Sequence, residues 1–568
     1  MERYVIGKVI SVSGSDIEVE LFPATEDSGK KSGVPDDMKV SVDSKDSGPT
    51  PILIGQPGSF VSISMGAYEL LCMVVNIKMV DKPFLASEFK QADISGGVLI
   101  ANIKRHLSII PVGTIDSKGE FDRGADILPT VNNTVSAVLP ATIDKVFESF
   151  SEGTFSIGNL SLLPSQLAKI NLDAFLSRHA AILGQTGGGK SWTVASFLQK
   201  IQSTFKKSTV VLFDLHGEYK NVFTDADYID ANEIELPYWL MNSEELLGLM
   251  VDRSESAAPN QIAKFKELLQ NAKENHAENK ILNISKITID TPVYFDFDAI
   301  IREFQRLDVE MVSGASGRDK QGPLYGQFTR MLMRVNSRLN DKRYDLIFHP
   351  QKYKTSASMD ELFRKILGEE KTTKKIVILD MSSIPFDVRT SVISLVMRCL
   401  FDFAYWHKKV KNESYPISVF CDEAHLYLND KDPSCEAARI SAERIAKEGR
   451  KYGISLTVIS QRPREVSATI LSQAGSFLCL RLSNPEDQSY VKSLLPDSVQ
   501  GIVNMFATLR RGECILLGDS VIMPTRIKID KPNPAPDSND CSFYKLWSED
   551  HKDIEVPKVL EAWRKQQI

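Results

Sequence analysis

The sequence contains no apolar stretch that approaches the roughly 18 residues of a membrane-spanning helix. Its amino terminus, Met1-Glu2-Arg3-Tyr4, also lacks the basic segment and following apolar segment of a secretory signal peptide. We therefore expect a soluble protein with a cytoplasmic location and no membrane partner. With 568 residues, of which 42% are hydrophobic and 25% charged, the chain is long enough for more than one domain with a full core.

Cysteine is sparse, and its seven positions contain no closely spaced pair of the CxxC type that zinc sites and redox motifs use. Several of the cysteines lie inside apolar runs, as small hydrophobic side chains do. The pattern predicts neither a disulfide framework nor a zinc site.

The chain also has no excess of positive charge, since its formal net charge is −6. This value excludes a basic surface over the whole protein. A channel lined locally by lysine and arginine can still bind DNA phosphates, so the charge leaves a DNA partner open.

The strongest positive signal is the stretch Ala180–Ser191, AAILGQTGGGKS, which matches the phosphate-binding P-loop. An apolar run that predicts a buried strand opens it, and Trp192–Ile201 predicts a helix. Glycines between the two allow backbone N–H groups to turn toward an anion at the start of the helix. We predict that ATP contacts Gly184, Gly187, Gly188, Gly189, Lys190, Ser191 and Trp192.

A second segment supplies the carboxylates that ATP hydrolysis needs. In the P-loop, Lys190 would reach the β- and γ-phosphates, and the Ser191 hydroxyl would ligate Mg²⁺. The stretch Ile417–His425, ISVFCDEAH, is an apolar strand that ends in two acids. We predict that Asp422 holds the Mg²⁺ shell and that Glu423 orients and deprotonates the attacking water. Adjacent acids at a strand end also occur as ordinary surface features, and the P-loop in the same chain favours the catalytic interpretation.

Polar residues follow two other predicted strands. Gln461 lies in Ser460–Pro463 and is placed to contact the γ-phosphate, although an exposed turn is the alternative. Asp214, His216 and Glu218 also follow a strand, and the carboxyl ends of parallel strands gather at the ligand crevice. These three residues are candidates for contacts that support the residues around the ligand. A metal site formed by them is a weaker alternative.

The pattern of apolar runs divides the chain into three parts. Residues 1–160 contain short alternating strands, which predict a small β-barrel or sandwich with a mobile loop at Asp27–Thr50. Residues 161–530 predict an α/β, RecA-like ATPase core with a mostly parallel sheet and a helical insertion at about 243–367. Residues 531–568 predict a carboxyl-terminal extension that ends in a helix.

The strands predicted for the first part are Tyr4–Val12, Asp16–Leu21, Gly58–Met65, Leu70–Ile77, Val98–Ile103 and Val135–Val138. Those predicted for the core are Ala180–Leu183, Thr209–Asp214, Lys375–Asp380, Ile417–Asp422, Ser455–Ser460 and Ser476–Leu482. The core strands alternate with helices, which is typical of parallel strands joined by crossovers.

Together these motifs resemble the HerA-type hexameric ATPases, which are related to FtsK and to the DNA pumps of conjugation. The resemblance spans nearly the whole chain, and Gly7–Ile10 and Gly158–Leu160 are similar to edges of the family's HAS β-barrel. DEAH also occurs in superfamily 2 helicases, but the order of the surrounding motifs differs there. The motifs that carry the resemblance are Arg178-His179, AILGQTGGGKS (Ala181–Ser191), DLHGEY (Asp214–Tyr219), ELPYW (Glu235–Trp239), DEAH (Asp422–His425), RIAKEGRKYG (Arg444–Gly453) and ISQRP (Ile459–Pro463).

The resemblance implies a homo-hexameric ring with ATP at each interface and double-stranded DNA in the central channel. It also implies arginines that reach across the interface, where a guanidinium neutralises charge that develops at the γ-phosphate. By position Arg178 and Arg450 match best, with Arg444 and Arg481 behind them. For each of them an ordinary surface or ion-paired role is equally open.

The basic residues that would follow DNA phosphates are less specific. The segment Ser313–Gln321 lies between predicted helices and offers Arg318 and Lys320, as a pore loop would. A solvated loop is the alternative.

The resemblance also concerns a partner protein. No nuclease constellation is visible, so any DNA cutting would come from another chain. In archaea the partner of the family is the NurA nuclease, and bacterial relatives occur with nucleases or sirtuin-like NAD-consuming proteins in anti-phage defence. We expect such an effector to dock on the amino-terminal barrel, which has no catalytic cluster. The alternative to a motor is an ATP-regulated scaffold that controls the effector without processive translocation.

Overall fold

The computed structural model of the chain describes most of its length. The described residues are 4–27, 30–44, 48–81, 103–148, 150, 154–223, 225–230, 234–313, 318–369, 375–538, 541–548 and 555–565. The chain divides into one large compact unit, Met1–Pro536, and a small unit, Asp537–Ile568.

The amino-terminal part of the large unit folds into a β-barrel. Its strands are β1 (Val5–Ser13), β2 (Asp16–Leu21), β3 (Thr25–Asp27), β4 (Lys30–Ser32), β5 (Lys39–Ser44), β6 (Gly48–Leu53), β7 (Phe60–Met65), β8 (Tyr68–Asp81), β9 (Ile103–Ile115), β10 (Phe121–Arg123) and β11 (Thr134–Ala137). Six of them form a closed antiparallel ring in the order β9, β2, β1, β11, β7, β8, because β8 pairs back to β9. Closure removes the exposed edges of the sheet, and the predicted barrel is confirmed.

Two details of this part differ from the expectation. The segment Asp27–Thr50, expected as a mobile loop, takes part in two short ribbons, β3 with β4 and β5 with β6. The second ribbon is anchored because Val40 and Ile52 are buried in the barrel core.

The expected strand Val98–Ile103 lies outside the described residues except at Ile103, where β9 begins. The pattern did not predict β9 because its Pro111 is a residue that strand interiors avoid, and here it pairs at an irregularity.

The rest of the large unit is built around a second sheet. The strands that follow the barrel are β12 (Thr154–Leu160), β13 (Leu163–Asn171), β14 (Ala180–Leu183), β15 (Thr209–Asp214), β16 (Asp227–Asp230), β17 (Met311–Ser313), β18 (Asp319–Gln321), β19 (Lys375–Asp380), β20 (Ile417–Cys421), β21 (Ile454–Ser460), β22 (Ser476–Cys479), β23 (Glu513–Gly518) and β24 (Thr525–Ile529). All but β17 and β18 join one sheet in the order β13, β12, β24, β23, β22, β14, β21, β20, β15, β19, β16. The strands from β22 to β16 are parallel, and the others are antiparallel.

Helices connect these strands. They are α1 (Pro140–Glu148), α2 (Leu172–Ser177), α3 (Lys190–Thr204), α4 (Ser243–Met250), α5 (Ala258–Asn275), α6 (Ala277–Ile281), α7 (Phe297–Asp308), α8 (Thr329–Leu339), α9 (Asp345–Phe348), α10 (Met359–Ile366), α11 (Phe386–Lys411), α12 (Glu436–Glu448), α13 (Ala468–Ser472) and α14 (Pro485–Leu494). Parallel strands joined by helices confirm the predicted α/β class.

The central parallel strands are apolar along their whole length because helices cover both faces of such a sheet. Every residue of β14, β15 and β20 is buried. The predicted bounds of β14, β15 and β19 agree with the structure. The predicted Ser476–Leu482 is too long: β22 ends at Cys479, after which Leu480 N–H donates to Leu183 O and leaves the ladder with β23.

Between β16 and β19 the chain is mainly helical, from α4 to α10, and this segment carries one small hairpin. The segment Ser313–Gln321, expected as a loop, contains β18 and the end of β17, which pair antiparallel. Residues 314–317 lie outside the described residues. Arg318 and Lys320 are exposed on this hairpin.

The barrel has a buried core of its own and also shares part of the hydrophobic core of the α/β part. Barrel residues such as Leu71, Met73 and Ile110 belong to the same buried cluster as the strands of the large sheet. Strand β12 contains Gly158–Leu160, which was expected at the edge of the barrel, and it pairs with β24 of the large sheet instead. A cut after residue 160 would therefore remove a strand from the ATPase core along with the barrel.

The small unit contains two short helices, α15 (Phe543–Ser548) and α16 (Val556–Lys565). Large apolar side chains are exposed on both: Tyr544 is 87% exposed, Trp547 77% and Trp563 73%. None of the helices described is long and apolar enough to cross a membrane.

Candidate nucleotide site

The P-loop leaves β14 at the carboxyl edge of the parallel strands and ends in α3. Gly187 and Gly189 have left-handed backbone angles, with φ of 72° and 99°, which cost glycine little. Gly188 N–H donates to Gln185 O at 3.0 Å and closes the turn. The first N–H groups of α3 have no partner within the helix and are available to an anion. The residues predicted to contact ATP, from Gly184 to Trp192, all lie in this turn or in the first turn of α3.

Two acidic residues follow β20. In the sheet, β21 lies between β20 and the P-loop strand β14. Lys190 Nζ lies 3.9 Å from Glu423 Oε1, and their side chains are only 7% and 14% exposed. Asp422 is buried, and its Oδ1 accepts Glu423 N–H at 3.0 Å. The structure thus brings together the predicted lysine of the P-loop and the predicted pair of carboxylates.

Glu423 has an unusual backbone conformation. Its φ of 45° and ψ of 43° place it in the left-handed region, which costs a residue with a β-carbon about 1 kcal/mol or more. Strained residues of this kind cluster at functional sites, where the surrounding structure holds them in place. The strain here directs the Glu423 carboxylate toward Lys190.

Burial and mutual repulsion disfavour the ionised forms of the acidic side chains at this site. Burial raises the pKa of Asp422 well above its usual range, the nearby charges of Glu423, Asp214 and Glu218 add to this, and Lys190 opposes it. Burial also raises the pKa of Glu423, against the opposing charge of Lys190. A cation in the site would offset this repulsion and favour the ionised carboxylates.

This chemistry fits Mg²⁺ bound together with a nucleotide. In the described part of the chain, no three His, Cys, Asp or Glu side chains form a metal site by themselves. Mg²⁺ is usually held by one or two protein ligands together with phosphate oxygens and water, so it does not need such a cluster. Ser191 and Asp422 are the residues that would hold it, and this assignment stays a prediction.

Gln461 follows β21, the strand between β14 and β20. The Thr186 hydroxyl donates to Gln461 Oε1, so this side chain lies over the P-loop. Nearby, His425 Nδ1 lies 3.3 Å from Glu423 Oε2. Burial lowers the pKa of His425 to about 4, so the ring is neutral at pH 7 and adds no positive charge beside Glu423.

The carboxylate of Asp214, at the end of β15, has a structural role. It accepts the N–H groups of His216, Gly217, Glu218 and Tyr219 at 2.9–3.3 Å. Burial raises the pKa of Asp214 to about 6, and these donors lower it. The segment DLHGEY is therefore folded around Asp214, and a metal site formed by Asp214, His216 and Glu218 is not found.

Arg178 and Arg450 lie far from the P-loop of their own chain. Each precedes the amino end of a parallel strand, β14 or β21, whereas the P-loop lies at the carboxyl end. Even the short β14 separates the two edges by roughly 10 Å. Arg450 is exposed. Arg178 Nη1 donates to Asp519 Oδ2, and the other oxygen of this carboxylate, Oδ1, lies 4.0 Å from Nη1 of Arg123 in the barrel.

The two other arginines predicted behind them, Arg444 and Arg481, make contacts within their own chain, and a role of either across an interface stays a prediction. Arg444 lies over the Phe401 ring, with its guanidinium carbon 4.2 Å from the centroid, and bonds to Asp402 within its own chain. Arg481 follows β22 at the carboxyl edge, and its carbonyl accepts Gln185 N–H at 2.9 Å. The backbone of Arg481 therefore lies beside the P-loop of its own chain.

The sequence analysis did not identify one further neighbour of the P-loop. The turn Arg510–Gly512, before β23, lies against the glycines of the loop, and Arg511 lies over the Trp192 ring. The signal was weak, because two arginines and a glycine before a strand are common in turns.

The site combines the P-loop after β14, the acidic pair after β20 and Gln461 after β21, the strand between those two. This arrangement on a parallel sheet defines a RecA-like P-loop ATPase. The family model described as "Helicase HerA, central domain" matches residues 155–400, and this match supports a relationship to the HerA/FtsK superfamily of P-loop ATPases. It is accordingly an ATP hydrolase.

The sequences of curated relatives align with most of the chain. The DNA double-strand break repair helicase HerA of Saccharolobus solfataricus is 26% identical over 490 residues, which are 83% of this chain and 87% of the relative. The protein of the same description from Sulfurisphaera tokodaii is 27% identical over 445 residues, which are 77% and 81% of the two chains. Among solved structures, VirB4 of Thermoanaerobacter pseudethanolicus superposes with a TM-score of 0.44 at 16% identity, over 70% of this chain and 98% of that one.

The left-handed conformation of Glu423 leads to a prediction about stability. Replacing Glu423 by Gly or by Ala removes the same carboxylate, but only Ala keeps a β-carbon in the strained conformation. We expect Glu423→Gly to be more stable than Glu423→Ala by about 1 kcal/mol in urea unfolding, with hydrolysis lost in both. Equal stabilities, or a more stable Ala variant, would contradict the strain at this position.

Proposed function

We propose that the chain is the motor subunit of a homo-hexameric ring that hydrolyses ATP to move along double-stranded DNA. The observation that carries this proposal is the placement of Arg178 and Arg450 at the edge of the sheet opposite their own P-loop. Neither arginine lies near the P-loop of its own chain, so in a ring both would be available to the site of a neighbouring copy. A ring that shares its sites in this way can pass the state of one site to the next.

In this proposal the chain's own residues divide the chemistry. Lys190 and the P-loop backbone bind and orient the phosphates, and Ser191 and Asp422 hold the Mg²⁺, which offsets the phosphate charge. Glu423 positions the attacking water and accepts its proton. Gln461, held over the P-loop by Thr186, contacts the γ-phosphate.

The two arginines would act in a neighbouring site. A guanidinium beside the γ-phosphate stabilises the charge of the transition state, an effect worth about 10³- to 10⁵-fold in other enzymes. Arg450 is exposed and has no ion pair in the described structure. Arg178 would have to leave Asp519 before it could bind a phosphate of its neighbour.

Double-stranded DNA is the proposed substrate because the curated relatives are DNA double-strand break repair helicases. The hairpin of β17 and β18 presents Arg318 and Lys320 to solvent, where they could contact DNA phosphates. A ring gathers such residues from every subunit. The net charge of −6 is compatible with this, because the positive charge needs to be concentrated only in the channel.

The barrel is the proposed docking surface for an effector, either a nuclease or a sirtuin-like NAD-consuming protein. Large apolar side chains are exposed between β10 and β11, where Ile127 is 64% exposed and Val131 55%. Exposed apolar groups of this kind favour a protein partner when they lie close together. A role in anti-phage defence stays a prediction that depends on the identity of that partner.

The catalytic assignment predicts a separation of binding from hydrolysis. Glu423→Gln keeps the size of the side chain but removes the base, so we expect near-normal ATP binding and a hydrolysis rate lowered by about 10²- to 10⁴-fold. Lys190→Ala should weaken both binding and hydrolysis. Glu436→Gln, which changes an exposed acid on α12, is the control. Hydrolysis by Glu423→Gln at the normal rate would show that the assignment is wrong.

The shared site predicts complementation in mixed rings. In an equal mixture of Arg178→Ala and Lys190→Ala subunits, about a quarter of the interfaces pair an intact P-loop with an intact arginine, so ATPase activity should return in part. A mixture of Glu423→Gln and Lys190→Ala is the control, because both changes affect the same site and no intact site is restored. If mixed rings confirmed by native mass spectrometry show no recovery with Arg178→Ala, Arg178 does not act across the interface.

The docking proposal predicts a loss of effector binding without a loss of hydrolysis. Deleting the barrel would expose the shared core, so the sharper variant is Ile127→Asp with Val131→Asp. We expect this variant to keep its ATPase activity. In co-purification it should no longer bind the effector, for which the product of a neighbouring gene is the candidate. Ile281→Asp, at an apolar position of the insertion that is 82% exposed, is the control. Full retention of the effector by the barrel variant would place the docking site elsewhere.

A further inference from the structure

The turn Arg510–Gly512 lies beside the P-loop although it is distant in sequence. Gly512 N–H points to Gly188 O at 3.5 Å, and a β-carbon added to Gly189 would lie 3.4 Å from Gly512 N. The two glycine-containing backbones are therefore packed directly against each other. Any nucleotide in the P-loop has this turn as a neighbour from its own chain.

Side chains of β23 and β24 hold the backbone of the turn in place. Glu513 Oε2 accepts Arg510 N–H at 3.0 Å and Arg526 Nη2 at 2.8 Å, and the Glu513–Arg526 pair is largely buried. Lys528 Nζ donates to Arg511 O at 3.0 Å. The position of Arg511 is thus fixed through its backbone, while its side chain is exposed.

The Arg511 side chain is directed toward the start of α3. Its guanidinium carbon lies 5.7 Å from the centroid of the Trp192 ring. Within the described residues Arg511 forms no ion pair, and the buried Trp192 Nε1 has no hydrogen-bond partner. A planar cation and an unpaired N–H donor therefore lie together next to the phosphate-binding turn.

The geometry of the site indicates which end of the nucleotide this pair would meet. The γ-phosphate end faces Lys190, Glu423 and Gln461, because these residues surround the inner side of the loop. The nucleoside must then leave the loop on the other side of the α3 amino terminus, where Trp192 follows Ser191. Arg511 covers that side.

We propose that Arg511 and Trp192 form the nucleoside end of the ATP site, and that the purine base stacks on the Arg511 guanidinium. A guanidinium is flat and weakly hydrated, so it stacks well on an aromatic face, and its charge also favours the nearby α-phosphate. The ligand class is a purine nucleoside diphosphate or triphosphate. This inference rests on the ATP site of the proposed function, and it assigns a residue of the same chain that the P-loop pattern does not contain.

The test compares ligands with and without a base on the full-length protein. In calorimetry we expect Arg511→Ala to weaken ADP binding about tenfold and to change the affinity for inorganic tripolyphosphate less than about twofold. Arg511→Lys keeps the charge but not the planar group, so it should bind ADP nearly as weakly as Arg511→Ala. Arg510→Ala removes the same charge one residue away, where the side chain lines a groove with Asn159 and Lys531, and should bind ADP normally.

A second measurement follows Trp192 directly. ADP should change the tryptophan fluorescence of the normal protein and of Arg510→Ala, and the change should be absent in Trp192→Phe. ADP binding that is unchanged in Arg511→Ala, or ADP and tripolyphosphate weakened by the same factor, would overturn the stacking proposal while leaving the ATPase intact. Failure of the normal protein to bind ADP at all would instead contradict the proposed function.

Discussion

In the central sheet the strands from β22 to β16 all run in the same direction, and this constraint divides the chain's polar residues between two edges. The carboxyl edge gathers the P-loop after β14, the acids after β20 and Gln461 after β21. The amino edge carries Arg178 and Arg450. The strand direction therefore keeps Arg178 and Arg450 away from the P-loop of their own chain.

Charge and strain work together at the carboxyl edge. Buried carboxylates repel one another and raise each other's pKa, with only Lys190 opposing them. The backbone of Glu423 is held in a conformation that its side chain disfavours. Both features lower the stability of the fold at this site, and a bound cation would relieve the first of them. The fold tolerates this cost because the surrounding strands, buried along their whole length, fix the positions of the groups.

Much of the fold and the centre of the site could be predicted from the sequence, because they rest on local patterns. Continuous apolar runs predicted β14, β15 and β19, and P-loop spacing predicted the position of Lys190. Contacts between distant segments could not be predicted in this way. The pairing of β12 with β24, the role of Asp214 as an acceptor for its own loop, and the contact of Gly512 with the P-loop all depend on tertiary packing. The position of Arg481 could not be predicted from local patterns either, because only the topology shows on which edge of the sheet it lies.

The central claim is that ATP hydrolysis by this chain drives movement along duplex DNA, and displacement of a third DNA strand from a blunt duplex tests it most directly. We expect the purified protein to release the triplex-forming strand when ATP is present, and we expect no release with ADP or with the Glu423→Gln variant. We also expect duplex DNA to stimulate hydrolysis. An active ATPase that binds duplex DNA yet never releases the third strand would contradict the motor and favour an ATP-regulated scaffold.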